Sequence, residues 1–275
     1  MRLALGSMVG LSHGGPMPRL GFGTYKSMPG EVEDAVATAL TAGYLSVDTA
    51  SLYGNEEGVA EGLRRSGVAR DEVFITTKLW NDEQGYDETR AALAGSLSRL
   101  GLDHVDLYLI HWPRRSTLEP TWRAMESLLE EGLTRSIGVS NFLPHQLDAL
   151  LDVARVAPAV DQVEFHPWLQ QPRLQAYLAE HDITLEAWAP LMKGHLDEEP
   201  ALRVIGERHG VSAAQVTLRW ILQMGYVAIP KSVHEERIRQ NAELFEFELS
   251  DEEMGEIDAL DRGFRFGPDP DTYAW

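Results

Sequence analysis

Four side chains of complementary chemistry stand at or just beyond the ends of short apolar runs. They are Asp48 after Ser46-Val47, Tyr53 in the turn that follows, Lys78 after Ile75-Thr76-Thr77, and His111 after Leu109-Ile110. A tyrosine is a weak acid, with a reference pKa of about 10. An adjacent ammonium stabilises its phenolate, and a carboxylate keeps that lysine charged where water is scarce. Tyr53, Lys78 and Asp48 would together make a tuned proton donor, with His111 to hydrogen-bond and orient a substrate oxygen. Such a set suits protonation of a carbonyl oxygen as hydride arrives from elsewhere. Each residue also has a plainer reading on its own. Asp48 and Lys78 would serve as a buried ion pair and His111 as a satisfied core histidine. A remoter alternative makes Lys78 a Schiff-base lysine, with Asp48 and Tyr53 as proton carriers.

Whatever positions these groups must bring separate strand ends to one place. Apolar, β-branched runs cover 19–25, 45–50, 73–80, 105–112, 136–140, 160–166, 184–190 and 227–231. Between them lie helix-like stretches at 31–42, 56–65, 88–100, 118–131, 144–156, 172–180, 199–224 and 234–245. Strand-length runs separated by helical patterns imply parallel crossovers. Eight such units in about 250 residues match the (β/α)8 TIM barrel in count and size. An open doubly wound sheet is the alternative. Gly43, Gly101, Gly132 and Gly225 each fall between a helical stretch and the next strand, where a left-handed residue is wanted. Val9–Leu20, centred on His13-Gly14-Gly15, reads as an N-terminal β-hairpin and floor. Asp251–Asp261, capped by Ser250 with Glu253 three residues on, reads as an extra C-terminal helix. No linker or compositional break interrupts 1–275, so one domain is expected.

Barrel enzymes react at the C-terminal mouth. Strand-end residues beyond the first four are therefore candidates: Trp80, Trp112, Ser140, Asn141, Gln162, Glu164, His166, Trp188, Lys231 and Ser232.

Composition narrows the chemistry. The 275 residues contain no cysteine, which excludes disulfides, thiolate metal sites and a cysteine nucleophile. The histidines show no metal-ligand spacing, and no metal is expected. A formal net charge of −19 argues against nucleic-acid or anionic-membrane surfaces as partners. The broken Leu3-Ala4-Leu5 run is too short for a signal segment, and no run approaches the ~18 apolar residues of a membrane span. A cytoplasmic protein is expected. Lysine is scarce: Lys26, Lys78, Lys193 and Lys231 are all there are, against 20 arginines.

Taken together, the strings Gly21-Phe22-Gly23-Thr24, Val47-Asp48-Thr49-Ala50 with Tyr53-Gly54-Asn55-Glu56, Thr76-Thr77-Lys78-Leu79-Trp80, Ile110-His111-Trp112-Pro113, Gly138-Val139-Ser140-Asn141-Phe142 and Ile229-Pro230-Lys231-Ser232 resemble the aldo-keto reductases. The resemblance runs from about residue 17 to 273. It looks closest to short bacterial members related to 2,5-diketo-D-gluconate reductase, whose tail Gly267-Pro268-Asp269-Pro270-Asp271-Thr272 is also similar. It implies that Asp48, Tyr53, Lys78 and His111 form a catalytic tetrad with Tyr53 as general acid. It further implies NADPH/NADP+ as cofactor and a small-molecule carbonyl as substrate, in a monomer. Ser140, Asn141 and Gln162 match positions that hold the nicotinamide amide, and Trp188 the aromatic on which the ring stacks. Lys231, Ser232 and Arg237 match a clamp on the 2′-phosphate, and Gln240 and Asn241 neighbours of the adenine. Leu191 and Lys193 match a loop that folds over the pyrophosphate. A non-catalytic NADPH-binding sensor is the rival within that resemblance.

Charge and motif bear on the same cofactor. A 2′-phosphate on so acidic a chain needs a local cationic pocket, which Lys231 and Arg237 supply unless Arg237 pairs with Glu235 or Glu236. The Gly-x-Gly-x-x-Gly fingerprint of Rossmann dehydrogenases is absent. Phe22, Trp80 and Trp112 are candidates to line an apolar substrate pocket, with core packing as the alternative. Phe142, Phe264, Phe266, Tyr273 and Trp275 would close that pocket or dock the tail.

Overall fold

A computed structural model describes residues 3–273, so Trp275 lies outside the described residues. A hairpin of β1 (Met8–Gly10) and β2 (Pro16–Pro18) comes first, the two strands pairing antiparallel. Then follow β3 (Phe22–Gly23), α1 (Glu31–Thr41), β4 (Ser46–Asp48), α2 (Glu56–Ser66), β5 (Phe74–Leu79) and α3 (Tyr86–Leu100). The middle of the chain supplies β6 (Val105–Ile110), α4 (Leu118–Glu130), β7 (Thr134–Ser140), α5 (Pro144–Leu151), β8 (Val160–Glu164) and α6 (Pro172–Glu180). Last come β9 (Thr184–Trp188), α7 (Pro200–His209), α8 (Ala213–Gln223), β10 (Val227–Ala228), α9 (Glu235–Gln240), α10 (Asp251–Asp258) and α11 (Pro270–Tyr273).

Strands β3 to β10 form one parallel sheet in sequential order. Its ends meet: Ala228 N–H donates to the Arg19 carbonyl at 2.9 Å, Gly21 N–H to Ala228 at 2.9 Å and Gly23 N–H to Pro230 at 3.0 Å. The sheet therefore closes into the expected barrel. Strand alternation sends side chains to two separate cores. One, with Val47, Ile75, Tyr108, Ile110, Ile137 and Val163, packs against the surrounding helices. The other, with Met17, Phe74, Leu107, Leu109, Val160 and Val227, fills the lower barrel interior. Burying each such aliphatic side chain contributes about 1.5–3 kcal/mol.

The four glycines between helices and strands take positive φ as expected: 97° at Gly43, 64° at Gly101, 76° at Gly132 and 92° at Gly225. Three helical stretches are shorter or more broken than the pattern suggests. The 199–224 region is two helices, because Gly210 ends α7 at φ 70° and Ser212 caps α8 through a reciprocal bond with Gln215. The 144–156 stretch stops as a helix at Leu151. The buried Glu126 carboxylate draws the N–H groups of Arg155 and Val156, at 2.6 and 2.9 Å, away from the helical ladder. The 234–245 stretch is helical only to Gln240, where Gln215 and Arg219 take the carbonyls of Glu243 and Leu244. No helix among the described residues is long and apolar enough to cross a membrane.

Candidate active site

Lys78 is the centre of the site. It is the penultimate residue of β5, a strand buried along its whole length, and is itself 0% exposed. Its three ammonium protons face three acceptors: Asp48 Oδ1 at 2.5 Å, the Thr49 carbonyl at 2.9 Å and Tyr53 Oη at 3.3 Å. Burial alone pushes an ammonium's pKa down. The Asp48 carboxylate, the Tyr53 phenol and Glu186 more than offset it, and Lys78 stands above the ordinary lysine value.

Tyr53 lies on the single turn Ser51–Tyr53 that follows β4. That turn is pinned by Asn55, whose amide donates to the carbonyls of Thr24 and Ser27 at 3.0 and 3.3 Å and accepts from the Thr49 hydroxyl at 2.9 Å. Burial pushes the Tyr53 pKa up to about 12; the Lys78 ammonium works against this and Asp48 with it. The sequence suggested a phenol made more acidic by its lysine. Desolvation instead outweighs the ammonium, and the phenol stays protonated across the neutral range. His111 is 8% exposed, and burial followed by the Lys78 charge pushes it well below the ordinary imidazole value. It is a neutral imidazole, and its buried Nδ1 has no partner among the described residues. Its ring meets Tyr53 edge-on at 5.7 Å.

A second network continues from this one around the mouth. Ser140 Oγ donates to the Gln162 carbonyl at 2.7 Å. Asn141, at φ 65°, donates from Nδ2 to the His111 carbonyl at 2.9 Å and to Ser140 Oγ at 3.0 Å, and accepts the Trp188 indole N–H at 2.8 Å. Gln162 donates from Nε2 to Asp48 Oδ2 at 2.8 Å, so the nicotinamide candidates touch the tetrad directly. Ser140 Oγ and Asn141 Oδ1 each keep an acceptor lone pair. Leu191 packs at the rim of the outer core, and Lys193 donates to the Phe266 carbonyl at 3.0 Å with its ammonium 5.7 Å from the Trp188 ring centre.

The remaining cofactor candidates sit beyond β10. Lys231 is half-buried without an ion pair among the described residues, and burial lowers its pKa against the opposing pull of Glu31. Ser232 accepts the His234 N–H at 3.1 Å. Arg237 is exposed and unpaired among the described residues; the neighbour that pairs with Glu235, at 3.0 Å, is Arg239. Gln240 is exposed and Asn241 buried. An ammonium and a guanidinium left uncompensated on a chain of −19 fit an anionic group such as a phosphate.

Of the proposed pocket aromatics, Trp80 meets His111 edge-on at 5.2 Å, and Trp112 meets Tyr273 of the tail at 4.6 Å with the rings tilted by 57°. Phe22 goes the other way: it is 1% exposed and packs on Tyr44 in the outer core, as does Phe142 within that core. The aromatic that the end of β3 does bring to the mouth is Tyr25, half exposed with its ring 4.9 Å from that of Tyr53. The strand-end rule that marks Trp80 and Trp112 applies equally to Tyr25. Phe264 and Phe266 cluster on Trp168 and dock the tail. Glu164 anchors the tail from below, accepting the N–H groups of Phe266 and Gly267 at 2.7 and 2.9 Å. At Gly267 a Cβ would lie 2.5 Å from the Trp188 ring, so the tail passes where no side chain fits. Glu186, an acid inside the apolar run 184–188, is the other residue the sequence reading passes over; its inward parity with Trp188 is the signal.

Comparisons with known proteins identify the family of the chain. A family model described as the Aldo/keto reductase family matches residues 19–262. The chain is 52% identical over 272 residues to a glyoxal reductase of Bacillus subtilis (strain 168), covering 98% of this chain and 99% of that protein. A crystal structure of an aldo/keto reductase from Brucella melitensis superposes with a TM-score of 0.90 at 46% identity, covering 93% of this chain and 99% of the other. A Bombyx mori aldo-keto reductase solved in complex with NADP superposes with a TM-score of 0.91 at 33% identity, over 99% of each chain.

Proposed function

The chain belongs to the aldo/keto reductase family, and on that premise we propose that it reduces small aldehydes and ketones to alcohols with Tyr53 as general acid. It is an oxidoreductase, and its cofactor is NADP(H). Bound at the mouth, that cofactor would supply the hydride for the carbonyl carbon. Everything else is the work of this chain's side chains.

Tyr53 gives its phenolic proton to the carbonyl oxygen as charge develops there. The phenolate left behind lies against the Lys78 ammonium, which Asp48 keeps charged, and solvent later returns the proton. His111, neutral, offers the same oxygen a hydrogen bond without competing as a proton source. Ser140, Asn141 and Gln162 would hold the carboxamide of the ring and Trp188 its face. Lys231, Ser232 and Arg237 would take the 2′-phosphate, Gln240 and Asn241 the adenine side, and Leu191 and Lys193 the pyrophosphate. The observation that carries this reading is the contact of Tyr53 Oη with Lys78 Nζ at 3.3 Å, with Asp48 2.5 Å beyond. The same contacts argue against Schiff-base chemistry, because Lys78 has every proton engaged and no free amine to offer.

Tyr25, Trp80, Trp112 and Tyr273 give the mouth an aromatic rim suited to small dicarbonyls, aromatic aldehydes, keto-esters and sugar ketones. The relative named glyoxal reductase favours testing dicarbonyls first. Wild type should consume NADPH when glyoxal or methylglyoxal is added. Tyr53→Phe should lose about 10³-fold in turnover, within the range of general acid catalysis, while NADPH affinity holds within about twofold. Undiminished turnover in Y53F would remove Tyr53 from its role. The reading takes residues 1–275 as one domain acting as a cytoplasmic monomer; sedimentation velocity giving a dimer would overturn the last point.

A further inference from the structure

Glu186 is a carboxyl group that neither the proton-transfer set nor the cofactor clamp uses. It lies in the middle of β9 at 1% exposure, register-paired with Gln162 on one side and Val227 on the other. Gln162 Nε2 stands 2.8 Å from Glu186 Oε2 and 2.8 Å from Asp48 Oδ2. An amide nitrogen carries two hydrogens, and here both are donated to carboxyl oxygens. That fixes which end of the amide is which: Gln162 Oε1 is the atom left over to accept a hydrogen bond. Glu186 Oε1, meanwhile, is buried without a partner among the described residues.

The charge arithmetic of the layer explains why such a residue is informative. Asp48 from β4 and Lys78 from β5 face Glu186 across the barrel, β8 offers the neutral Gln162, and β10 offers Val227. Two carboxylates would share a single ammonium, a costly arrangement for groups this deeply buried. Burial, then the Asp48 charge, pushes Glu186 up to about 8. Both effects favour its protonated, neutral form, with Oε2 accepting from Gln162.

We propose that Glu186 is a positioning residue for carbonyl reduction: it takes the second N–H of Gln162, so that Oε1 of that amide faces the carboxamide NH2 of the cofactor, and while protonated it leaves Lys78 one carboxylate to balance rather than two. This rests on the reductase reading above. The sign of its pH dependence follows. As pH rises through about 8, Glu186 ionises, a second negative charge makes Tyr53 a still weaker acid, and reduction slows.

Two variants test it. E186Q keeps an acceptor for Gln162 and has no proton to lose. E186M removes the acceptor at similar volume. NADPH affinity, read by quenching of tryptophan fluorescence, should stay within about twofold of wild type in E186Q and weaken about tenfold in E186M, the size of a lost buried hydrogen bond. The pH profile of turnover should show the alkaline fall near 8 in wild type and lack it in E186Q. A merely structural residue would not move that limb. E186M binding NADPH as tightly as wild type, or E186Q retaining the alkaline fall, overturns the proposal. Should E186M fail to fold, the E186Q profile decides alone. Should wild type fail to reduce any carbonyl, the reductase reading falls, whereas the comparison of NADPH affinities still judges Glu186.

Discussion

The floor and the mouth of this barrel are lined from the same strands and treat polar groups in opposite ways. Early on the strands, inward-facing Phe74, Leu107, Val160 and Val227 meet Met17 of the hairpin in an apolar plug that holds no charged side chain. The polar groups at that level are uncharged or singly paired: Ser136 Oγ donates to the His13 carbonyl at 2.6 Å, Ile137 N–H to His13 Nε2 at 3.2 Å, and the buried hydroxyls of Ser46 and Thr76 have no partner among the described residues. Late on the same or neighbouring strands, the same inward parity carries Asp48, Lys78, Gln162 and Glu186. A buried ion pair is often no more stable than apolar side chains of the same volume. The floor shows that this chain can fill its barrel with such side chains. On the proposed reading, the charged layer above is present for its chemistry and the apolar plug for its stability.

The sharpest way to break that contrast is Lys78→Met. It leaves Asp48 buried without its counter-ion and Tyr53 without its ammonium. Stability should fall by about 3–5 kcal/mol, read by denaturant midpoint, and turnover should fall at least as far as in Y53F. A variant as stable as wild type but inactive would separate the two roles cleanly. A variant that keeps turnover within about tenfold of wild type would sink the idea that the mouth is charged for chemistry.

The floor has a corresponding weak point with the opposite signature. Gly14 sits at φ 82°, and a Cβ there would collide with Ser136 Oγ and the Arg135 carbonyl. Gly14→Ala should cost about 1–3 kcal/mol, from left-handed strain plus the hairpin's displacement. Turnover per folded molecule should not change. If G14A altered the kinetics of reduction and left the melting temperature alone, floor and mouth would not be the independent regions described.

That separation also governs what could be read without coordinates. The barrel was legible because each unit repeats one hydrophobic pattern, and its period needs no knowledge of neighbours. The clustering of Asp48, Tyr53, Lys78 and His111 was legible because ionisable residues ending apolar strands converge only if the sheet closes. Phe22 was misplaced for a physical reason: β3 and the segment closing on β10 are so short that parity cannot be counted from a run of two residues. Tyr25, three positions on, takes the pocket place. The break in 199–224 was available in Gly210 and the Ser212-to-Gln215 cap, whereas the end of α5 was not. It depends on Glu126, a residue about thirty positions distant that becomes adjacent only after folding. Glu186 was hidden because an acid in a strand carries no meaning until Gln162 and Asp48 are known to lie beside it.

The smallest effect concerns two of the depressed histidines, His13 at the floor and His111 at the mouth. Burial lowers His13 from its ordinary value, and the Ile137 N–H aimed at Nε2 requires that nitrogen to be unprotonated. The unfolded chain takes up a proton at His13 near 6.5. Between that pH and the lower native value the unfolded state binds more protons, so this contribution to stability is whole above about 6.5 and drains away as pH falls below it. His13→Gln keeps an acceptor for Ile137 and has nothing to titrate. Its denaturant midpoint should fall less steeply than that of wild type as pH drops below 6.5, while its turnover profile should follow wild type. His111 is depressed for the same first reason, burial, but also by the Lys78 charge. The acid slope of stability that survives in H13Q should therefore be lost in part in H13Q/K78M, where that charge is gone and His111 titrates nearer its ordinary value. An H13Q slope equal to wild type would mean that the floor opens to water before the chain unfolds, and the contrast between a sealed floor and a reactive mouth would then fail at its sealed end.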